Sequence, residues 1–343
     1  MQQLLNTLYI TTDGAYVRVD HDTLKIEVEK ETKLQVPLHH IGGVVCFGDI
    51  MISPAAMARC AEDGRFVVLL DRNGRFKARV EGPVSGNVLL RCAQHAAMKN
   101  TEQTLAIARN IVAGKIQNTR QVVLRGAREA DDATDVAPLK ATGEALGNAL
   151  GRLPLCENLD VLRGIEGESA RVYFGTFDRM VKEDRPTFTL DGRHRRPPRD
   201  PVNALLSFLY ALLMNDCVAA VEGVGLDPQM GFLHALRPGR AALALDLMEE
   251  LRSVLADRLV LTLINRRQVA AKHFQARPGG AVHLEDEARK DVIVAYQKRK
   301  QEEITHPVLD QKMLLGLVPH IQARLLARVL RGDLEAYPPY LHR

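Results

Sequence analysis

A few side chains in this sequence stand where a purely structural role would be costly. Glu166 belongs to the segment Leu162-Arg-Gly-Ile-Glu-Gly-Glu-Ser-Ala-Arg-Val-Tyr-Phe-Gly-Thr-Phe177. Helical spacing there puts Leu162, Glu166, Ala170, Tyr173 and Phe177 on one stripe. A carboxylate on an apolar stripe is expensive unless it is hydrogen-bonded, paired or bound to a cation. The plainer alternative is an acid near a helix start, favoured by the helix dipole. Glu168, on the other face, reads as solvated. His234 sits in Gly231-Phe-Leu-His-Ala-Leu-Arg-Pro-Gly239, whose Pro-Gly turn places it on a loop or a last helical turn, where a lone histidine can equally be structural. In the helix that follows, Leu243, Leu247, Leu251 and Val254 form one face, while Asp246 and Glu249, three apart, share a neighbouring one. Two carboxylates so close repel each other unless a cation lies between them or both face solvent.

Together Glu166, His234, Asp246 and Glu249 offer one imidazole and several carboxylates. Such a donor set suits Mn²⁺ or Mg²⁺ better than a closed thiolate zinc site. Open, oxygen-rich metal sites serve phosphoryl transfer, where the metal polarises the phosphate and stabilises the leaving oxygen. The five cysteines, Cys46, Cys60, Cys92, Cys156 and Cys217, are scattered and never form a C-x-x-C pair. That argues against a zinc site and a disulfide framework, and fits a reducing cytoplasm.

The net charge of +4 is mild, so the position of the bases matters more than their number. Arg193, Arg195, Arg196 and Arg199, with His194, crowd a seven-residue stretch without an acid. Residues 261–300 hold nine bases, Arg266 and Arg267 among them, against four acids. These runs read either as solvated faces or as contacts to phosphate.

With 343 residues, 46% hydrophobic and 26% charged, the chain can hold two modest domains. The first part reads as β-rich. Leu8-Tyr9-Ile10 and residues 15–19 flank Asp13-Gly14, a dipeptide suited to a two-residue hairpin. Leu24, Ile26 and Val28, then Leu34, Val36 and Leu38, alternate with polar residues, as in strands with one wet face. Residues 44–47 and 66–70 fit buried strands around a helix over 53–61, and Asn73-Gly74 marks a further hairpin. His39 and His40 read as strand-end residues. From about Asn87 the spacing becomes helical, starting with Leu89, Cys92 and Ala96 and continuing through Leu105, Ala108, Ile111 and Val112. Residues 131–135 read as a polar interhelical loop, 191–201 as irregular, and 337–343 as a frayed tail. The apolar run 202–214 is shorter than the roughly 20 residues that span a bilayer, so no membrane is expected. The fold class is α+β: a small β-rich domain over 1–85 and a larger all-α catalytic domain over 86–343.

The motif around Glu166, with Ala170, Tyr173 and Phe174, resembles the glutamate motif of the CRISPR-associated spacer-acquisition integrase family. Asp200-Pro-Val-Asn-Ala-Leu-Leu-Ser-Phe-Leu-Tyr210 looks like that family's helix beneath the active site. Gly231-Phe-Leu-His234 and the helix carrying Asp246 and Glu249 look like its histidine and acidic motifs. The likeness covers nearly the whole chain and is closest to the type I-C branch. It implies that Glu166, His234 and Glu249 hold Mn²⁺ or Mg²⁺, with Asp246 assisting. Glu249 stands where the family more often has Asp, which leaves open which of the two acids is the main ligand. Tyr173 and Asn203 are then supporting residues, and Arg193, Arg195, Arg196, Arg199, Arg266 and Arg267 hold DNA backbones. The implied reaction is attack by a 3′-hydroxyl of a short duplex on a phosphodiester at the leader–repeat boundary, and activity falls as pH drops through the titration of His234. The implied assembly is a homodimer through the β-domains, two of which flank a dimer of a small ferredoxin-like partner. Competing readings are a metal-dependent nuclease of branched DNA in repair and a catalytically silent DNA-binding scaffold.

Overall fold

The structure is a computed structural model that describes residues 6–72, 74–80, 82 and 88–342. Its contacts divide the chain into two compact units, residues 1–85 and 86–343.

The first unit holds two four-stranded sheets. In one, β1 (Thr7–Ile10), β5 (Gly43–Phe47) and β7 (Phe66–Leu70) run parallel, and β8 (Phe76–Val80) closes the edge antiparallel. In the other, β2 (Tyr16–Asp20), β3 (Thr23–Val28) and β4 (Glu31–Pro37) form a meander, and β6 (Met51–Ile52) adds parallel to β2. The alternation of Leu24 and Ile26 is the buried face of β3, and β5 is buried throughout. Helix α1 (Pro54–Glu62), capped by the Ser53 hydroxyl, contributes Ala56 and Cys60 to a core shared with both sheets. Two local expectations change here and one holds. Asp13-Gly14 does not join β1 to β2 as a hairpin, because the two strands belong to different sheets and β1 pairs with β5. β7 and β8 do form a hairpin, with Gly74 at φ +80°; Asn73 lies outside the described residues. His39 and His40 end a short 3-10 turn rather than a strand.

The second unit is mainly helical. Helices α2 (Val88–Lys99), α3 (Thr101–Glu129), α4 (Ala133–Arg152) and α5 (Leu159–Phe174) precede α6 (Pro201–Val224). Helices α7 (Ala242–Glu249) and α8 (Arg258–Asn265) flank a π-type turn over Arg252–Asp257, followed by α9 (Asp286–Lys300) and α10 (Val318–Leu330). The unit is not all-α: strands β9 (Phe274–Ala276) and β10 (Val282–Leu284) make one ribbon, β11 (Glu303–His306) and β12 (Gln311–Leu314) another. In α2 the buried residues are Leu90, Gln94 and Ala97, whereas the stripe through Leu89, Cys92 and Ala96 faces out. Asp135 belongs to the first turn of α4, buried between Arg179 and Arg185, rather than to a loop. Helix α6 has the length and hydropathy of a membrane span, so length does not exclude one; most of it is buried against α7 and α10 as the spine of the unit.

The end of the chain is not frayed. Tyr337 and Tyr340 are buried, and Asn110 and Asn118 of α3 donate to the carbonyls of Tyr337 and Tyr340. His342 sits beside them. Arg258 donates toward its Nε2, so its Nδ1–H faces the Tyr340 hydroxyl, which fixes a neutral ring. Burial, then Arg258, Arg299 and Arg125, push its pKa down to about 4. Because the folded value lies below the ordinary 6.5, this contribution is complete above pH 6.5 and is lost as pH falls toward 4. In urea titrations at pH 7 and 4.5, His342→Gln should lose less stability on acidification than wild type; equal losses would remove His342 as a source of acid sensitivity.

Candidate active site

The residues singled out from sequence come together on the second unit. Asp246, on α7, is fully buried and turned toward the loop before its own helix. Its Oδ2 accepts from the backbone N–H of Phe232 (2.6 Å) and Leu233 (3.0 Å), and its Oδ1 from that of His234 (2.9 Å). The same Oδ1 lies 2.7 Å from His234 Nδ1. Such close approach requires glycine at 231, where a Cβ would stand 2.7 Å from Asp246 Oδ2 and from the Ala242 carbonyl carbon. A carboxylate at Nδ1 fixes the proton there and leaves Nε2 with its lone pair free to accept or ligate. Nε2 faces Glu249, 3.5 Å from its Oε1.

Glu249 ends α7 and its side chain is only 3% exposed. Burial alone would raise its pKa, but Arg252, Lys115 and His234 outweigh that and hold it below the ordinary carboxylate range. Arg252 Nη2 lies 3.0 Å from Oε1 and Lys115 Nζ 2.6 Å from Oε2. The Lys115 ammonium is the partner of this buried Oε2. The Lys115 ammonium also bonds Glu166, which α5 places beside its buried stripe, so it bridges the two carboxylates.

Beneath this cluster lies a second layer. The Asp257 carboxylate accepts from the hydroxyls of Tyr173 (3.0 Å) and Tyr210 (2.7 Å). Burial pushes its pKa up to about 6, against the pull of the two hydroxyls, Arg193 and Arg252. The guanidinium groups of Arg252 and Arg193 lie over the Tyr210 ring at 4.9 and 5.2 Å. The π-type turn supplies both Arg252 and Asp257, so the wider turn directs the two toward one region. Lys115, Arg195, Arg252 and Tyr210 line a cleft beside the carboxylates.

The model of the family described as CRISPR associated protein Cas1 matches residues 8–298. The chain belongs to the Cas1 family. A CRISPR-associated endonuclease Cas1 of Moorella thermoacetica is 62% identical over 343 residues, the whole of both chains. One of Chlorobaculum tepidum is 47% identical, also over both whole chains. Among solved structures, a Cas1 protein from Thermotoga maritima superposes with a TM-score of 0.81 at 23% identity, covering 95% of this chain and 97% of its own. A casposase bound to integration product gives 0.82 at 22%, covering 97% and 93%. At such identities these two speak for the fold alone.

In this Cas1-family chain Glu166, His234 and Glu249 converge, while Asp246 is spent on the loop and the imidazole, not on the cleft. Tyr173 acts one layer down, through Asp257. Asn203, fully buried, donates to the Gly192 carbonyl and Asp200 and accepts from His194 N and Arg193, so it anchors the basic loop. Arg193 itself is thereby turned inward and is not a surface cation; burial lowers its pKa. Arg195, Arg196 and Arg199 are exposed. Arg266 and Arg267 are exposed too, directly after the end of α8, and Arg267 pairs with Glu183. Of the other bases in 261–300, Arg289, Arg299 and Lys300 point into the fold toward Asp286, Glu302 and Asp216. Sequence reading passed over Lys115 and Arg252. A lone cation inside the apolar Ile111-Val-Ala-Gly-Lys-Ile116, and a base three residues after Glu249, were the available signs.

The donor set fits a hard divalent cation: two carboxylates and one imidazole with its tautomer fixed. Among the described residues no three His, Cys, Asp or Glu side chains already stand at ligating separation. The carboxylates are spaced instead around the Lys115 ammonium.

Proposed function

We propose that this chain is a divalent-metal-dependent DNA endonuclease and integrase that inserts short duplexes into a CRISPR array. The observation carrying this is the gathering of Glu166 and Glu249 on Lys115, with His234 Nε2 3.5 Å from Glu249, beside the cleft that Lys115 and Arg252 line; Asp246 holds the imidazole so that Nε2 faces Glu249. Membership in the Cas1 family supports the DNA substrate and the CRISPR setting. Glu166, Glu249 and His234 Nε2 would hold Mn²⁺ or Mg²⁺. Bound there, such an ion would polarise the scissile phosphodiester and lower the pKa of an attacking hydroxyl or water. Arg252 and Lys115 keep Glu249 ionised, and Asp246 keeps the His234 proton on Nδ1. Arg195, at the lip of the cleft, with Arg196 and Arg199 beside it, would hold the DNA backbone without reading sequence. Residues 1–85 would form the homodimer contact, and a small ferredoxin-like partner would bridge two dimers.

The test is strand joining. Purified protein is incubated in Mn²⁺ with a short duplex and a supercoiled plasmid carrying a CRISPR array. Wild type should give plasmid-joined product, and Glu166→Gln and His234→Ala none. Cleavage without joining would favour a repair nuclease of branched DNA. Activity in the two variants equal to wild type would overturn the site.

A further inference from the structure

Away from the carboxylates, α10 carries His320, Arg324 and Arg328 along one side, and Arg331 follows directly after it. These four side chains face Gly223 and Val224, at the end of α6, around a concavity of about 350 Å³. Arg324 and Arg328 are exposed, and among the described residues neither takes part in an ion pair; Arg331 pairs with Asp333 at 2.9 Å. Cations in a last helical turn are accounted for by the helix dipole. Arg324, nearly two turns before the end of α10, and the concavity itself are not.

The spacing is informative. Arg324 and Arg328 are about 6 Å apart along the helix axis, and Arg331 lies about 4.5 Å further. Arg324, Arg328 and Arg331, at i, i+4 and i+7, form one stripe along and just past α10, so their charges can face one backbone together. Gly223 is 13 residues beyond Tyr210 on α6, hence about 20 Å from the layer beneath the active site. We infer that this groove is a second docking surface for the sugar-phosphate backbone of duplex DNA, taking a stretch of the substrate about six base pairs from the reacting phosphodiester. The inference rests on the DNA-processing reading above. It adds a contact that positions the duplex without touching the reacting atoms.

The experiment compares the full chain with Arg324→Ala/Arg328→Ala and with Arg324→Lys/Arg328→Lys. Affinity for a duplex of about 30 base pairs is measured against salt concentration. Each phosphate contact adds about 0.9 to the slope of log affinity on log salt, so the Ala pair should flatten it by about 2 and the Lys pair should retain it. An unchanged slope in the Ala pair, with wild type binding the long duplex, would overturn the groove and leave the active-site reading intact. Pyrophosphate binding lost in the Ala pair without a change in that slope would mark a site for free phosphates, and would also overturn it. A wild type that binds no duplex would remove both readings.

Discussion

Glu249→Gln should lower DNA cleavage and strand joining together by about 10³-fold or more, because it removes an anionic ligand while keeping the side chain's shape. The choice of Gln matters. Glu249→Ala would leave Arg252 and Lys115 facing an emptied, buried position, and breaking a buried ion pair costs about 3–5 kcal/mol. A dead Ala variant could then be an unfolded one. Glutamine fills the same space and accepts from Arg252 through its amide oxygen, so its thermal midpoint should fall less than that of Glu249→Ala. Asp246→Asn supplies the contrast. It disturbs the grip on three backbone N–H groups and the His234 ring, and effects of such supporting groups on metal sites run to about 10–100-fold. The assay is cleavage and joining rates in Mn²⁺ beside a melting curve for each variant. A Glu249→Gln protein retaining a tenth of wild-type rate would remove Glu249 from the ligand set and return the third position to Asp246.

The second large effect concerns stability. Removing residues 337–343 should abolish the cooperative melting of the helical unit. Glu250, buried next to Glu249, accepts from the Tyr337 hydroxyl (2.7 Å), the Tyr340 backbone N–H (2.6 Å) and the Gln322 amide (3.0 Å). Pro339 and Glu250 pack onto Gly114, where a Cβ would come within 2.9 and 3.1 Å of them. Truncation leaves a buried carboxyl short of two donors, at about 1–3 kcal/mol each, and takes away two buried aromatic rings at about 3–5 kcal/mol each. Even allowing for non-additivity, the loss matches the whole stability of a typical domain, about 5–15 kcal/mol. Circular dichroism on heating reads it directly. A truncated chain melting within about 5 °C of wild type would show that the tail is dispensable. Tyr337→Phe, which removes one hydroxyl, should cost only about 1–3 kcal/mol.

The contrast between these two regions shows what a sequence gives away. Glu166, His234, Asp246 and Glu249 could be singled out by local pattern, but their reading as one set, with Glu249 as third member, came from the family resemblance. The tail was not legible, since Tyr-Pro-Pro-Tyr has no periodicity and its partners Asn118 and Glu250 lie 222 and 90 residues from Tyr340. Asp13-Gly14 announced a turn, but nothing local says that β1 pairs with a strand more than thirty residues on. The arginine run behaved likewise. Its charge was plain, yet partners on α5 and α6, Phe174, Asn203, Ser207 and Tyr210, hold Arg193 inward while Arg195 and Arg196 stay outside.

The π-type turn between α7 and α8 has a consequence for how this chain tolerates insertion and deletion. A π turn holds an extra residue relative to an α turn, and Arg258 N reaches back to the carbonyl of Ser253, five residues earlier. Removing one residue from 252–257 would make a more regular helix, yet would rotate everything after it by about 100° against Glu249. Asp257 would leave the two tyrosines, and α8 would present a different face. Loops elsewhere in the chain can drift in length across a lineage; this stretch must be inherited at constant length, and a gap there in an otherwise similar chain would mark one that has lost its site.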